Sequence, residues 1–148
     1  MIQAMVAAWI FYQERVLLVL HKRTGGWLPA GGHVEAEEHL LDALRREVQE
    51  EVGLSITVIG PAPLVENTEY SEELPLPFRV ASYAGKDGAE VTIDFVATTD
   101  DDRVVLQASE AEDFQWLSLQ ELQESRIISD RVKTLGKRAF SYYSEVKH

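Results

Sequence analysis

A chain of 148 residues is long enough to bury one core and short for two, so a single domain spanning 1–148 is expected. Its 45% hydrophobic content, with three Trp, five Tyr and five Phe, argues for a packed globule, and the absence of cysteine excludes disulfides, thiolate metal sites and a cysteine nucleophile. A formal net charge of −11 disfavours non-specific binding to nucleic acid, whose affinity comes from Lys and Arg meeting phosphates.

In chain order, MVAAWIFY (5–12), a turn at Gln13 to Arg15 and VLLVLH (16–21) read as a β-hairpin, rich in β-branched and aromatic residues. Gln3, Gln13, Glu14 and Arg15 interrupt the apolar N-terminal stretch, which has no charged leader and no run of transmembrane length. A cytoplasmic protein with no membrane partner is the expectation. Thr24-Gly25-Gly26 breaks the hairpin pattern, and WLPAGGH leads through Pro29, Gly31 and Gly32 into a helix.

That helix has apolar residues at 41, 44, 48 and 52, one buried stripe, and its first turn is expected to carry Glu35, Glu37 and Glu38. No Ser, Thr, Asp or Asn offers an N-cap, and Gly53 is placed to stop the helix in a left-handed conformation. SITVIG (55–60) follows, then a proline-punctuated segment over 61–77, where a binding loop would sit. FRVASY (78–83) and EVTIDFVAT (90–98) read as strands joined by a Gly-Lys-Asp-Gly turn. DFQWLSL runs into a capping box, Ser118-x-x-Glu121, for a helix near 119–125. Ser129 or Asp130 caps a last helix with Val132, Leu135, Ala139, Tyr143 and Val146 on one side. Residues 126–148 hold six Lys or Arg against two Asp or Glu, +4, which leaves −15 on residues 1–125. A solvated basic helix face explains this; a docking surface is the alternative.

The stretch GHVEAEEHLLDALRREVQEEVGL (32–54) places seven carboxylates in twenty-three residues. On a helix, Glu47, Glu50 and Glu51 fall within an arc of roughly 100° beside the buried stripe. Three adjacent carboxylates raise one another's pKa and destabilise the fold unless a cation sits among them. A hard divalent cation, Mg²⁺ or Mn²⁺, is one answer because both prefer oxygen ligands and keep positions open for water and phosphate. Pairing of the acids with Arg45 and Arg46 is the other.

The spacing Gly32, five residues, Glu38, seven residues, Arg46-Glu47-Val48, one residue, Glu50-Glu51, one residue, Gly53-Leu54 resembles the Nudix box at every specified position. The preceding strands, the WLPAGG entry and the later Trp-containing strand resemble the flanks of a Nudix domain, while residues 61–84 resemble it least. The resemblance implies the Nudix fold, an α/β domain with a mixed β-sheet sandwiched between α-helices (α/β/α). It also implies Mg²⁺- or Mn²⁺-dependent hydrolysis of a pyrophosphate bond in a nucleoside triphosphate or a nucleoside diphosphate linked to another moiety. A pyrophosphate brings negative charge to an anionic protein, and bound metal makes that encounter favourable.

Carried over by position, Glu50 and Glu51 match the principal metal ligands and Glu47 a further ligand or water-activating base. The carbonyl of Gly31 matches a position that contacts metal. Arg46 matches the box arginine, expected to pair with and orient a carboxylate, Glu38 being the candidate. Many members take an additional catalytic Glu from the loop before the Trp strand, which points to Glu110, with Glu112 close behind. Arg23 and His33 flank the glycine entry as candidate phosphate contacts, with surface roles as the alternative. Tyr70 stands where some dinucleoside polyphosphate hydrolases carry a stacking tyrosine, although loop aromatics more often pack. Pro61, Pro63, Pro75 and Pro77 are too many candidates for the proline that marks the ADP-ribose subgroup. Two other classes compete: a nucleotide-sensing Nudix module that binds without cleaving, and a Nudix-fold prenyl diphosphate isomerase, which wants the reactive cysteine this chain lacks. A homodimer through the hairpin or the last helix is a further expectation of the resemblance.

Overall fold

The computed structural model describes residues 2–147. Strands β1 (Gln3–Tyr12) and β2 (Arg15–His21) form the expected hairpin, closed by Gln13 and Glu14 at φ of 48° and 62°. Two consecutive positive φ values give the turn a twist that matches the strands, a conformation that non-glycine residues adopt at some cost. Two short strands not expected from the sequence follow, β3 (Trp27–Leu28) and β4 (Ala30–His33). Helix α1 (Leu40–Val52) ends at Gly53, whose φ of 70° is the expected left-handed stop.

The start of α1 corrects the sequence reading. Glu35, Glu37 and Glu38 lie in the loop before the helix, and only Asp42 is acidic in its first turn. The Glu38 amide donates to the carbonyl of Glu35, and Glu37 takes a φ of 65°, so the chain turns here instead of winding. His39 occupies the N-cap position without a side-chain cap, as the missing Ser, Thr, Asp or Asn foretold.

Beyond α1 come β5 (Thr57–Ile59), β6 (Arg79–Gly85), β7 (Gly88–Thr98) and β8 (Ala111–Leu117), then α2 (Leu119–Glu124) and α3 (Asp130–Val146). The capping box of Ser118 and Glu121 is formed, and the Ser129 hydroxyl caps α3. All eight strands belong to one mixed sheet with a main path β3-β2-β1-β7-β5; β4 pairs with β1, β6 with β7 and β8 with β2. Its longest seam is parallel, β1 against β7 from Gln3↔Glu90 to Phe11↔Thr98. No described helix is long and apolar enough to cross a membrane.

Strand alternation divides the core between the two faces of the sheet. On one face, Leu41, Leu44, Val48 and Val52 of α1 pack on Val6, Ala8, Ile10, Leu17 and Val19. On the other, Trp9, Phe11, Leu18 and Val96 meet Leu122, Val132, Ala139 and Phe140. Tyr143 stacks flat on Phe11 with centroids 4.1 Å apart, and Phe140 meets the same ring edge-on at 4.9 Å. Burying each large apolar side chain contributes about 1.5–3 kcal/mol. A Cβ on Gly136 of α3 would lie 2.5 Å from Leu122 Cδ2 and 3.3 Å from Trp9, which accounts for a glycine inside a helix. Helices on both faces of a mixed sheet are the α/β arrangement expected from the sequence.

Candidate active site

Strand β4 carries the sequence AGGH antiparallel to the N-terminal half of β1, with Gly31 opposite Ala7 and Gly32 opposite Val6. A Cβ on Gly31 would lie 2.1 Å from the Val6 carbonyl oxygen, and one on Gly32 would lie 2.4 Å from the Glu47 carboxyl carbon. Gly32 therefore lets the acidic helix close directly onto β4, while Gly31 lets β4 lie close against β1.

The three candidate acids of α1 occupy different environments. Glu51 is 1% exposed, on the packed side of the helix and not beside it as expected. The Glu47 side chain is 17% exposed and that of Glu50 is 53% exposed. Arg46 sits among the outer acids. Its Nε and Nη2 fork onto Glu38 at 2.8 and 3.0 Å, its Nη1 donates to Glu47 at 2.9 Å and to Glu50 at 3.4 Å, and Nη2 also reaches the His33 carbonyl at 3.2 Å. The contact with Glu38 is the one expected; those with Glu47 and Glu50 show that part of the neutralising charge comes from within the chain. This guanidinium holds the Glu38 carboxyl down to about 2, and the acids in turn push the Arg46 pKa further up. Burial raises the Glu47 pKa, with Arg46 opposing and Glu50 and Glu110 adding to the rise.

Arg46 does not reach Glu51. The Gly31 amide donates weakly to Glu51 Oε2 at 3.4 Å, and His21 Nε2 stands 3.1 Å from Oε1. The two atoms form an ion-pair contact but no hydrogen bond, so Oε1 and His21 Nε2 are both buried without a hydrogen-bond partner. The carboxylate still raises the His21 pKa, against the lowering effect of burial. His21 was not singled out from the sequence. Its one signal is strand alternation: Leu17 and Val19 face α1, and position 21 continues that side.

A cavity of about 630 Å³ opens over these groups, lined at this end by Gly31, Glu47, Glu51, Glu110, Arg23 and His33. The Glu110 carbonyl is tied to the Lys22 amide, which fixes its loop beside the end of β2. His33 Nε2 is hydrogen-bonded with Glu90 Oε1 at 3.1 Å. Three expected residues lie outside the cavity wall, Arg46 among the outer acids and Glu50 and Tyr70 beyond it. Glu50 points to solvent and Arg46. Tyr70 is 90% exposed, because the loop around it closes on its own polar groups, the Glu73 carboxylate accepting from the amides of Leu64 and Val65, and nothing apolar meets the ring. At the far end of the cavity stand Arg79, Asp94 and Arg131, none of which the sequence reading identified.

Among the described residues, no three acidic or imidazole side chains converge closely enough to enclose a cation as they stand. The chemistry of the donors nevertheless fits a hard divalent ion. A buried carboxylate oxygen that accepts no hydrogen bond is costly unless something binds it. Glu51 Oε1 is such an atom, with the Glu47 carboxylate and Gly31 lining the same cavity.

No curated protein sequence matches the chain. Its fold is shared with a NUDIX-family hydrolase from Clostridium perfringens, 23% identical with a TM-score of 0.78 over 93% of this chain and 95% of the other. A MutT NUDIX hydrolase from Burkholderia pseudomallei is 17% identical with a TM-score of 0.67, over 96% and 98% of the two chains. A UDP-X diphosphatase is 17% identical with a TM-score of 0.69, over 98% of this chain and 64% of that one. The family model for the NUDIX domain matches residues 1–135. With the acidic helix seated against a glycine strand at the mouth of a cavity, and with that match over most of its length, the chain belongs to the Nudix hydrolase family.

Proposed function

We propose that this protein hydrolyses a pyrophosphate bond in a nucleoside triphosphate, or in a nucleoside diphosphate linked to another moiety, with Mg²⁺ or Mn²⁺. The observation that carries this reading is the Oε1 of buried Glu51, which accepts no hydrogen bond and faces only the His21 imidazole, at the wall of a cavity shared with Glu47 and Gly31. Glu51, Glu47 and the Gly31 carbonyl would hold the metal, with Glu50 at the outer edge. When bound, the metal offsets phosphate charge and acidifies water for attack on phosphorus.

The remaining roles belong to side chains in place. Arg46 positions Glu47 through the 2.9 Å contact and ties the preceding loop to the helix through Glu38. Glu110, across the cavity, is the candidate proton acceptor for an attacking water, and Arg23 and His33 are candidate phosphate contacts at the entrance. The net charge of −11 supports a small nucleotide and not a nucleic acid as substrate. A cytoplasmic location and a homodimer belong to the same proposal.

The test is a hydrolysis screen over nucleoside triphosphates, ADP-ribose, nucleotide sugars and dinucleoside polyphosphates, with each metal and with chelator. Turnover that needs metal and disappears in Glu51→Gln is expected; undiminished turnover in that variant overturns the site. The contacts of Arg46 with Glu47 and Glu50 favour one second reading, a module that binds nucleotide without cleaving it. Nucleotide binding without turnover in either metal selects that reading.

A further inference from the structure

The far end of the cavity has a built polar wall that the reaction does not use. Asp94 of β7 is 3% exposed, and both of its carboxylate oxygens are engaged: Oδ1 accepts from the Trp9 indole at 3.0 Å and Oδ2 from Arg79 Nη1 at 3.0 Å. The Arg79 side chain is 25% exposed and lines the cavity, and Asp94 is its only acceptor among the described residues. A guanidinium carries five N–H donors in a rigid fork, so most of them remain free. A donor array anchored by a buried carboxylate and aimed at open space is a pre-organised recognition element.

Sheet register fixes its distance from Gly31, the glycine beside the acids. Gly31, Ala7, Asp94 and Arg79 are successive partners across β4, β1, β7 and β6. Neighbouring strands lie about 4.8 Å apart, so Asp94 stands about 10 Å from Gly31, and Arg79 is rooted about 14 Å away. That span matches the reach from the phosphates of a nucleotide to the edge of its base. Ala7 leaves the floor between them clear.

We propose that Arg79, held by Asp94, is the specificity-determining residue for the base, and that it selects an edge with two adjacent acceptors. Guanine (O6 and N7) and cytosine (O2 and N3) present such an edge; adenine and uracil do not. The inference rests on the proposed nucleotide hydrolysis and names its substrate class.

The closing experiment has two arms. In the first, kcat and KM are measured for GTP, CTP, ATP and UTP with Mg²⁺, in the wild type and in Arg79→Lys, which keeps the charge and loses the fork. The wild type is expected to favour GTP or CTP over ATP by about tenfold or more in kcat/KM, mainly through KM, and Arg79→Lys to bring that ratio close to one. Equal use of all four by the wild type, or a loss in the variant shared by all four, overturns the inference. In the second arm, GMP, CMP, AMP and UMP are titrated into metal-free protein while the Trp9 indole N–H is followed by NMR, assigned with Trp9→Phe. Movement with GMP or CMP is expected. If that signal moves and no nucleotide is hydrolysed, the proposed reaction fails and the subsite stands; if neither moves it, the subsite fails whatever the turnover.

Discussion

Two carboxylates are buried in this protein to nearly the same degree, Glu51 at 1% and Asp94 at 3%, and their surroundings differ. Asp94 has both oxygens engaged by side-chain donors. Glu51 has one long contact to a backbone amide and an imidazole that is close but not hydrogen-bonded to it. A buried acid whose donors are all supplied by the fold is part of the scaffold. One that the fold leaves short costs stability, a cost that persists where function needs the open valence. Burial alone does not separate the two; the count of donors does.

Four substitutions sharpen or break that contrast. The largest expected effect is for Glu51→Gln, where metal-dependent turnover falls at least about a hundredfold. Its Tm should hold or rise, because a buried carboxyl short of hydrogen-bond donors is replaced by an amide. A large fall in Tm would place Glu51 with Asp94 as a scaffold acid. Next, Asp94→Ala strands the Trp9 indole and the partly exposed Arg79 guanidinium, and is expected to cost roughly 2–3 kcal/mol in urea denaturation. Third, Arg46→Gln frees Glu47 and Glu50 and should lower kcat about tenfold, a positioning effect, with the protein still folded by circular dichroism.

The smallest effect is one of pH. The Glu38 carboxyl sits at about 2 in the folded protein, below the ordinary 4.5, because Arg46 bonds its charged form. A depressed carboxylate adds stability above its unfolded pKa and loses it as pH falls toward the folded value. The Tm gap between the wild type and Glu38→Gln should therefore be full above about pH 5 and close on the way down to pH 2. A gap that does not change with pH would mean that the pair acts by packing alone.

What the sequence revealed and what it hid follow from range. Gly53 as the stop of α1, Ser118 with Glu121, and Ser129 as a cap were legible because each acts on backbone three or four residues away. The spacing of Glu38, Arg46, Glu47, Glu50 and Glu51 was legible because one helix and its entry loop carry it. Position relative to the core was harder: Glu51 and Glu50 are adjacent in sequence, and only the docking of α1 on Ala30 and Val6 decides which one is buried. His21 and Arg79 were not legible, since one gains its meaning from an acid thirty residues on and the other from a register spanning four strands. Glu35 and Glu37 misled because acids before a helix look the same in sequence whether they lie in its first turn or in the loop ahead of it.

The parallel seam of β1 and β7 joins residues 3–11 to residues 90–98. During synthesis the first strand therefore leaves the ribosome long before its main neighbour has been translated. Until then the hairpin has an apolar flank with nothing to pair against, and closing so long a loop is slow. The nascent chain thus passes through a sticky interval that ends when β7 emerges, and a chaperone's demand for this protein should peak there.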